Sequence, residues 1–157
     1  MIKAVLFDID GVLTDGKIFV DQEGREMKRI SLKDIDAVYD IKRRGFLIGA
    51  ITGEATEMSK YFERRFPWDF FYVGIKDKLS VVKDIERRAG LTPEEICYIG
   101  DGLYDIEVLS YVGLSVCPRD AIPEAITAAK IRLNKDGGDG CVWELRKLLL
   151  ADKSKEC

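Results

Sequence analysis

Short apolar runs recur along this chain at 2–7, 46–51, 70–73, 96–99 and 114–117, each followed by turn residues and then an amphipathic stretch. That rhythm constrains the fold more than any other feature. Runs this short, rich in Val, Ile and Phe and bounded by Gly or Asp, suit strands buried on both faces. The stretches between them repeat at helical spacing. In 34–44, Ile35, Val38, Tyr39 and Ile41 form one stripe and Gly45 can close the helix. In 80–88, Val81, Val82 and Ile85 share a face and Gly90 follows; 121–129 and 142–150 read the same way. Strand alternating with helix predicts an α/β fold, a doubly wound, Rossmann-like parallel sheet with helices on both sides. One segment breaks the alternation. Residues 17–31 read as a β-hairpin projecting after the first strand, turning at 22–25. It is too short for a second domain, so residues 1–157 are expected to form a single one.

Composition narrows the chemistry. A net charge of −3 offers no basic field for nucleic acid or an anionic membrane, and no apolar run reaches membrane-spanning length. Strand-like residues and two acids begin almost at Met1, so no signal peptide is expected and the cytoplasm is the expected compartment. The Lys and Arg clusters at 60–65 and 83–88 are interleaved with acids and read as solvated helix faces. Cys97, Cys117, Cys141 and Cys157 show no C-x-x-C spacing, which argues against a disulfide framework or a zinc site. Cys97, inside the run 96–99, reads as a small buried thiol. The chain has no histidine. Ser-His-Asp and Cys-His catalysis are therefore excluded, and acid/base chemistry falls to carboxylates, lysine, tyrosine or cysteine.

The residues just beyond each predicted strand are informative. The first strand ends in Asp8-Ile9-Asp10-Gly11, the second in Thr52-Gly53-Glu54, the third leads to Lys76-Asp77-Lys78, and the fourth ends in Gly100-Asp101-Gly102-Leu103-Tyr104-Asp105. Open α/β sheets bind ligands beyond the carboxyl ends of their strands. Each residue alone has an ordinary structural reading, as a turn former, a helix cap or a surface charge. Together they place acids, a hydroxyl and a lysine at one edge. Asp8 and Asp10, two apart in an extended segment, would leave the same face. With Asp101 they make an all-oxygen site suited to Mg²⁺, while Thr52 and Lys78 could bind a dianion. That is equipment for phosphoryl transfer, where positioning and charge neutralisation dominate.

These residues, in this order, resemble the four motifs of the haloacid dehalogenase superfamily: Asp8-Ile9-Asp10-Gly11-Val12-Leu13-Thr14, then Ile51-Thr52-Gly53, then Lys78, then Gly100-Asp101 through Asp105. The resemblance runs the length of the chain. The hairpin, Gly74-Ile75-Lys76-Asp77-Lys78-Leu79 and Gly137-Gly138-Asp139-Gly140 are similar to the small cap-less branch acting on phosphorylated 3-deoxy-2-ulosonic acids. The resemblance implies that Asp8 is the nucleophile and forms an aspartyl-phosphate, and that Asp10 is the general acid and base. It implies phosphate binding by Thr52, Gly53 and Lys78. Mg²⁺ would be held by Asp8, Asp101 and the Asp10 carbonyl, with Asp105 orienting Lys78 or metal-bound water. It also implies a homotetramer whose neighbouring subunits cover the active sites.

For substrate, the resemblance favours 3-deoxy-D-manno-octulosonate 8-phosphate (KDO 8-phosphate), a lipopolysaccharide precursor, with KDN 9-phosphate as the alternative. Glu54 stands where KDO 8-phosphate enzymes usually carry arginine, and Phe62 where the KDN 9-phosphate enzyme carries one. Glu54 is accordingly the candidate specificity residue, with Lys60, Arg64 and Arg65 as candidate cations for the substrate carboxylate. A receiver-type phospho-aspartate signalling domain also combines acids, Thr and Lys on such a sheet. Receivers, however, place the phosphorylated Asp on a middle strand, whereas here the acid pair ends the first.

Overall fold

The computed structural model describes residues 1–153. Its central strand, β1 (Ala4–Phe7), is buried on both faces and pairs in parallel with β4 (Leu47–Ile51) on one side and β6 (Ile96–Ile99) on the other. Strand β5 (Phe70–Tyr72) extends the sheet beyond β4; β7 (Leu114–Cys117) and β8 (Ile131–Arg132) extend it beyond β6. The order is therefore β5-β4-β1-β6-β7-β8, all parallel. The chain winds outward from β1 in one direction and then restarts at β6 in the other. That reversal opens a crevice at the carboxyl ends of β1 and β6.

Alternation along each strand feeds two cores. Val5, Phe7, Cys97 and Ile99 pack with helices α1 (Leu32–Arg43), α2 (Glu57–Arg65) and α6 (Cys141–Lys153). Ala4, Leu6, Ile96 and Tyr98 pack with α3 (Lys78–Ala89), α4 (Ile106–Tyr111) and α5 (Pro123–Ala128). Helix α3 starts where Asp77 accepts a hydrogen bond from Ser80 N and stops at Gly90, in the left-handed conformation. Helix α6 is capped across the fold: the buried Asp34 carboxylate of α1 accepts from Gly140, Val142 and Trp143 N. Burial raises the pKa of that carboxyl despite the three donors.

The hairpin is present but short, with β2 (Phe19–Val20) antiparallel to β3 (Glu26–Met27). Ile18, Phe19, Val20 and Met27 are all exposed, whereas Ile30 bridges to Thr14 and packs on the core. No described helix is long and apolar enough to cross a membrane.

The structure revises some expectations. Strand β5 is only half-buried because it lies at the sheet edge. Strand β8 went unpredicted, since two residues carry no periodicity. Helix 121–129 shrinks to Pro123–Ala128, because proline enters a helix at its first turn. Tyr39 leaves the apolar stripe, and its hydroxyl donates to the Arg65 carbonyl at 2.6 Å. Cys97, Cys117 and Cys141 are buried free thiols; Cys157 lies outside the described residues.

Candidate active site

Asp8 is the first residue past β1, and its N–H still reaches the Ile99 carbonyl of β6 at 2.9 Å. From there the chain coils. Val12, Leu13 and Thr14 N all donate to the Ile9 carbonyl, so Asp8 and Asp10 do not share one face of an extended segment. The turn buries Ile9 and swings Asp10 back to line the same cleft. Thr14 holds the turn. Its hydroxyl accepts from Gly11 N and Gly16 N and donates to Asp10 Oδ1 at 3.1 Å. Gly11 is required twice over: its φ is +84°, and a Cβ would lie 1.8 Å from Asp101 Oδ2.

Around Asp8 the other strand ends converge. Lys78 is the first residue of α3, and its ammonium is buried, 2.8 Å from Asp8 Oδ1 and 2.7 Å from Asp105 Oδ1. Asp105 also accepts from the Tyr98 hydroxyl at 2.5 Å and from Asp101 N and Gly102 N at 2.9 Å. Thr52, buried at the end of β4, accepts from Glu54 N. The resulting cleft, about 200 Å³, is lined by Asp8, Asp10, Thr52, Gly53, Glu54 and Lys78, with Lys76, Tyr104 and Asp105 beside them.

The electrostatics follow from this crowding. Burial, then the Asp105 charge, push the Asp8 pKa well above the carboxylate range against the pull of Lys78. Burial raises Asp101 to about 6, although a hydrogen bond with Asp8 opposes the rise. Burial works against the Lys78 charge too, yet Asp8 and Asp105 keep its pKa above the ordinary lysine value. One carboxylate oxygen each from Asp8, Asp101 and Asp105 lies within 4.8 Å of the others. Unit charges about 4 Å apart repel by roughly 4 kcal/mol at an effective dielectric near 20. The four donors to Asp105 occupy its oxygens, so Asp8 and Asp101 are the members with lone pairs to spare. A hard divalent cation fits this oxygen-only set and would relieve the repulsion.

Asp8, Asp10, Thr52, Gly53, Glu54, Lys78 and Asp105 come to this cleft, with Asp101 beside Asp8. The Asp10 carboxylate is not part of the acidic cluster. The cations expected on the next helix do not reach the cleft. Lys60 pairs with Glu57 at 2.9 Å and lines a separate cleft; Arg65 lies over the Tyr39 ring; Arg64 is solvent-exposed; Phe62 is core. Glu54 lies before the Thr56 cap of α2 and so outside its first turn. Two polar residues escaped the sequence reading. Tyr98 resembled any core residue of an apolar strand, and Lys28 sits on the hairpin. The Lys28 ammonium is buried, 2.8 Å from Asp10 Oδ2.

Residues 68–145 match the family model of the haloacid dehalogenase-like hydrolases. The 3-deoxy-D-manno-octulosonate 8-phosphate phosphatase of Escherichia coli K12 is 31% identical over 98% of this chain and 82% of its own length. The chain belongs to the haloacid dehalogenase-like hydrolases. Within that family it is a phosphatase, similar in fold to the cobalt-bound deoxy-D-mannose-octulosonate 8-phosphate phosphatase of Haemophilus influenzae. That structure has a TM-score of 0.91 and 27% identity, covering 98% of this chain and 90% of that one. The Moraxella catarrhalis 3-deoxy-D-manno-octulosonate 8-phosphate phosphatase, solved with magnesium, phosphate and KDO, superposes at a TM-score of 0.90 with 27% identity. It covers 96% of this chain and 86% of that one.

Proposed function

We propose that this phosphatase hydrolyses KDO 8-phosphate through an aspartyl-phosphate on Asp8. The observation that carries the reading is the division of labour between the two acids. Asp8 sits among Lys78, Asp101 and Asp105, where Lys78 together with a bound divalent cation would neutralise an incoming dianion. Asp10 is held apart by Thr14 and Lys28 yet lines the same cleft.

The Asp8 carboxylate attacks phosphorus, and the phosphorus–oxygen bond to the sugar breaks. Asp10 gives its proton to the departing alkoxide, then takes one from the water that cleaves the aspartyl-phosphate. Thr52, Gly53 and Lys78 bind the phosphoryl oxygens. Asp105, fixed by Tyr98 and two backbone N–H groups, aims Lys78. Mg²⁺, held by Asp8, Asp101 and the Asp10 carbonyl, supplies neutralisation of phosphoryl charge when bound.

The named relatives favour the eight-carbon sugar acid as substrate. Glu54 on the cleft wall favours KDN 9-phosphate as the second choice. We read the chain as one catalytic domain that assembles as a homotetramer through its exposed hairpin, neighbouring subunits covering the open clefts. Phosphate release should be measured from KDO 8-phosphate, KDN 9-phosphate, neutral sugar phosphates and p-nitrophenyl phosphate, with and without Mg²⁺. The reading expects KDO 8-phosphate to be preferred and Asp8→Asn to be folded but inactive. Turnover by purified Asp8→Asn would refute the nucleophile. A stable phospho-aspartate with no hydrolysis of any ester would indicate a signalling domain instead.

A further inference from the structure

Beyond the acids, Glu54, Lys76, Leu103 and Tyr104 form the mouth of the cleft. Two loops run side by side to build it: Ile75 N donates to the Thr52 carbonyl at 3.0 Å and Gly74 N to the Glu54 carbonyl at 3.1 Å. That pairing sets Lys76 against the loop after β4, so that a Cβ at Gly53 would lie only 3.4 Å from Lys76 Nζ. From the opposite wall, the turn after β6 brings the Tyr104 ring under the same ammonium, 4.5 Å from its centroid. This is within cation–π range, so a flexible lysine acquires a fixed place.

The charges around the cleft are unequally engaged. Lys78 is buried and committed to Asp8 and Asp105, and Lys28 is committed to Asp10. Among the described residues Lys76 has no carboxylate within ion-pair distance, although Glu54 lines the same cleft. Leu103 is 65% and Tyr104 49% exposed, an apolar surface at the entrance of a polar site.

We propose that Lys76, held over Tyr104, is the specificity-determining cation that binds a carboxylate on the leaving group, while Leu103 and Tyr104 bed its carbon chain. This rests on reading the cleft as that of a sugar-acid phosphatase. A leaving group with its own carboxylate would be repelled by Glu54, and the Lys76 ammonium offsets that repulsion. Glu54 is left to accept hydrogen bonds from hydroxyls. A neutral sugar phosphate gains nothing from Lys76. The same ammonium could bind phosphoryl oxygens, so the test must separate the two anions.

Steady-state kinetics on the full-length, Mg²⁺-loaded enzyme would compare Lys76→Met, Lys76→Arg, Tyr104→Phe and Tyr104→Ala. The substrates are KDO 8-phosphate, mannose 6-phosphate and p-nitrophenyl phosphate. Lys76→Met should raise KM for KDO 8-phosphate roughly 10-fold with kcat little changed, and shift KM for the other two by less than about twofold. Lys76→Arg and Tyr104→Phe should retain most of the preference, and Tyr104→Ala should lose part of it. Equal rises in KM for all three substrates would assign Lys76 to the phosphoryl group and overturn the proposal. If the wild type prefers KDO 8-phosphate and Lys76→Met keeps that preference, this inference fails alone. If the wild type shows no preference for the carboxylated substrate, the substrate reading fails and this inference falls with it.

Discussion

Removing the cation should make the fold lose stability as pH rises, and the loss can be worked from Asp101. Without metal its pKa is about 6, chiefly through burial, against about 3.9 in an unfolded chain. A carboxyl with a raised folded pKa holds its proton more tightly in the native state. Its contribution is fully present below about pH 4 and is lost as pH rises through about 6. The difference of about two in pKa is worth about 3 kcal/mol, of which about half disappears between roughly pH 5 and 7.5. For a domain of this size that is a fall of roughly 3–6 °C in melting temperature. Asp8, pushed up by burial and Asp105, slopes the same way. Asp40, held down to about 2 chiefly by Arg44, slopes oppositely but acts at lower pH. No histidine titrates across the window, because the chain has none. Thermal unfolding followed by circular dichroism in EDTA across this range checks the slope. Saturating Mg²⁺ should abolish the fall, and Asp101→Asn should reduce it. A melting temperature in EDTA that stays flat or rises, or an unchanged slope in Asp101→Asn, would refute the account of the acidic cluster.

Asp10→Asn should lower turnover by about 10²- to 10⁴-fold on alkyl phosphates and by less on p-nitrophenyl phosphate, whose leaving group needs less protonation. Comparing the two substrates tests the assignment, and equal losses would argue against a leaving-group acid. Gly11→Ala must adopt φ near +84° and overlap Asp101. It should weaken Mg²⁺ binding by calorimetric titration, and unaltered affinity would contradict the packing described. Asp34→Ala removes the acceptor for three N–H groups at the start of α6, those of Gly140, Val142 and Trp143, and should cost about 2 kcal/mol in chemical denaturation. Its turnover per folded molecule should remain close to wild type. Light scattering should find a tetramer that Phe19→Glu with Met27→Glu dissociates; a fully active wild-type monomer would exclude a shared site.

The sheet was legible because its strands are buried on both faces and therefore spell continuous apolar runs. The runs at 96–99 and 114–117 match β6 and β7 to the residue. The Asp8, Asp10, Thr52, Lys78 and Asp101 group was legible for a related reason. In a parallel sheet every strand points the same way, so residues just after successive strands must meet at one edge. The local chain at Asp8–Asp10 was read less well. An extended segment and a tight coil both satisfy a two-residue spacing, and the coil wins here because Thr14 and the Ile9 carbonyl close it.

The order of residues along the chain set the alternation of strand and helix and the kind of chemistry the strand ends could support, because both are written in neighbouring positions. Tertiary structure decided the partners. Lys28 reaches Asp10 across 18 positions, Lys78 reaches Asp105 across 27, and Asp34 caps a helix more than a hundred residues away. It also decided which lysines face the cleft: Lys76 lines it and Lys60 does not. The physical reason is that a charged side chain takes its role from its surroundings. Burial and neighbouring charges turn Asp8 and Asp101 from ordinary acids into strained ones, and those neighbours come from different strands.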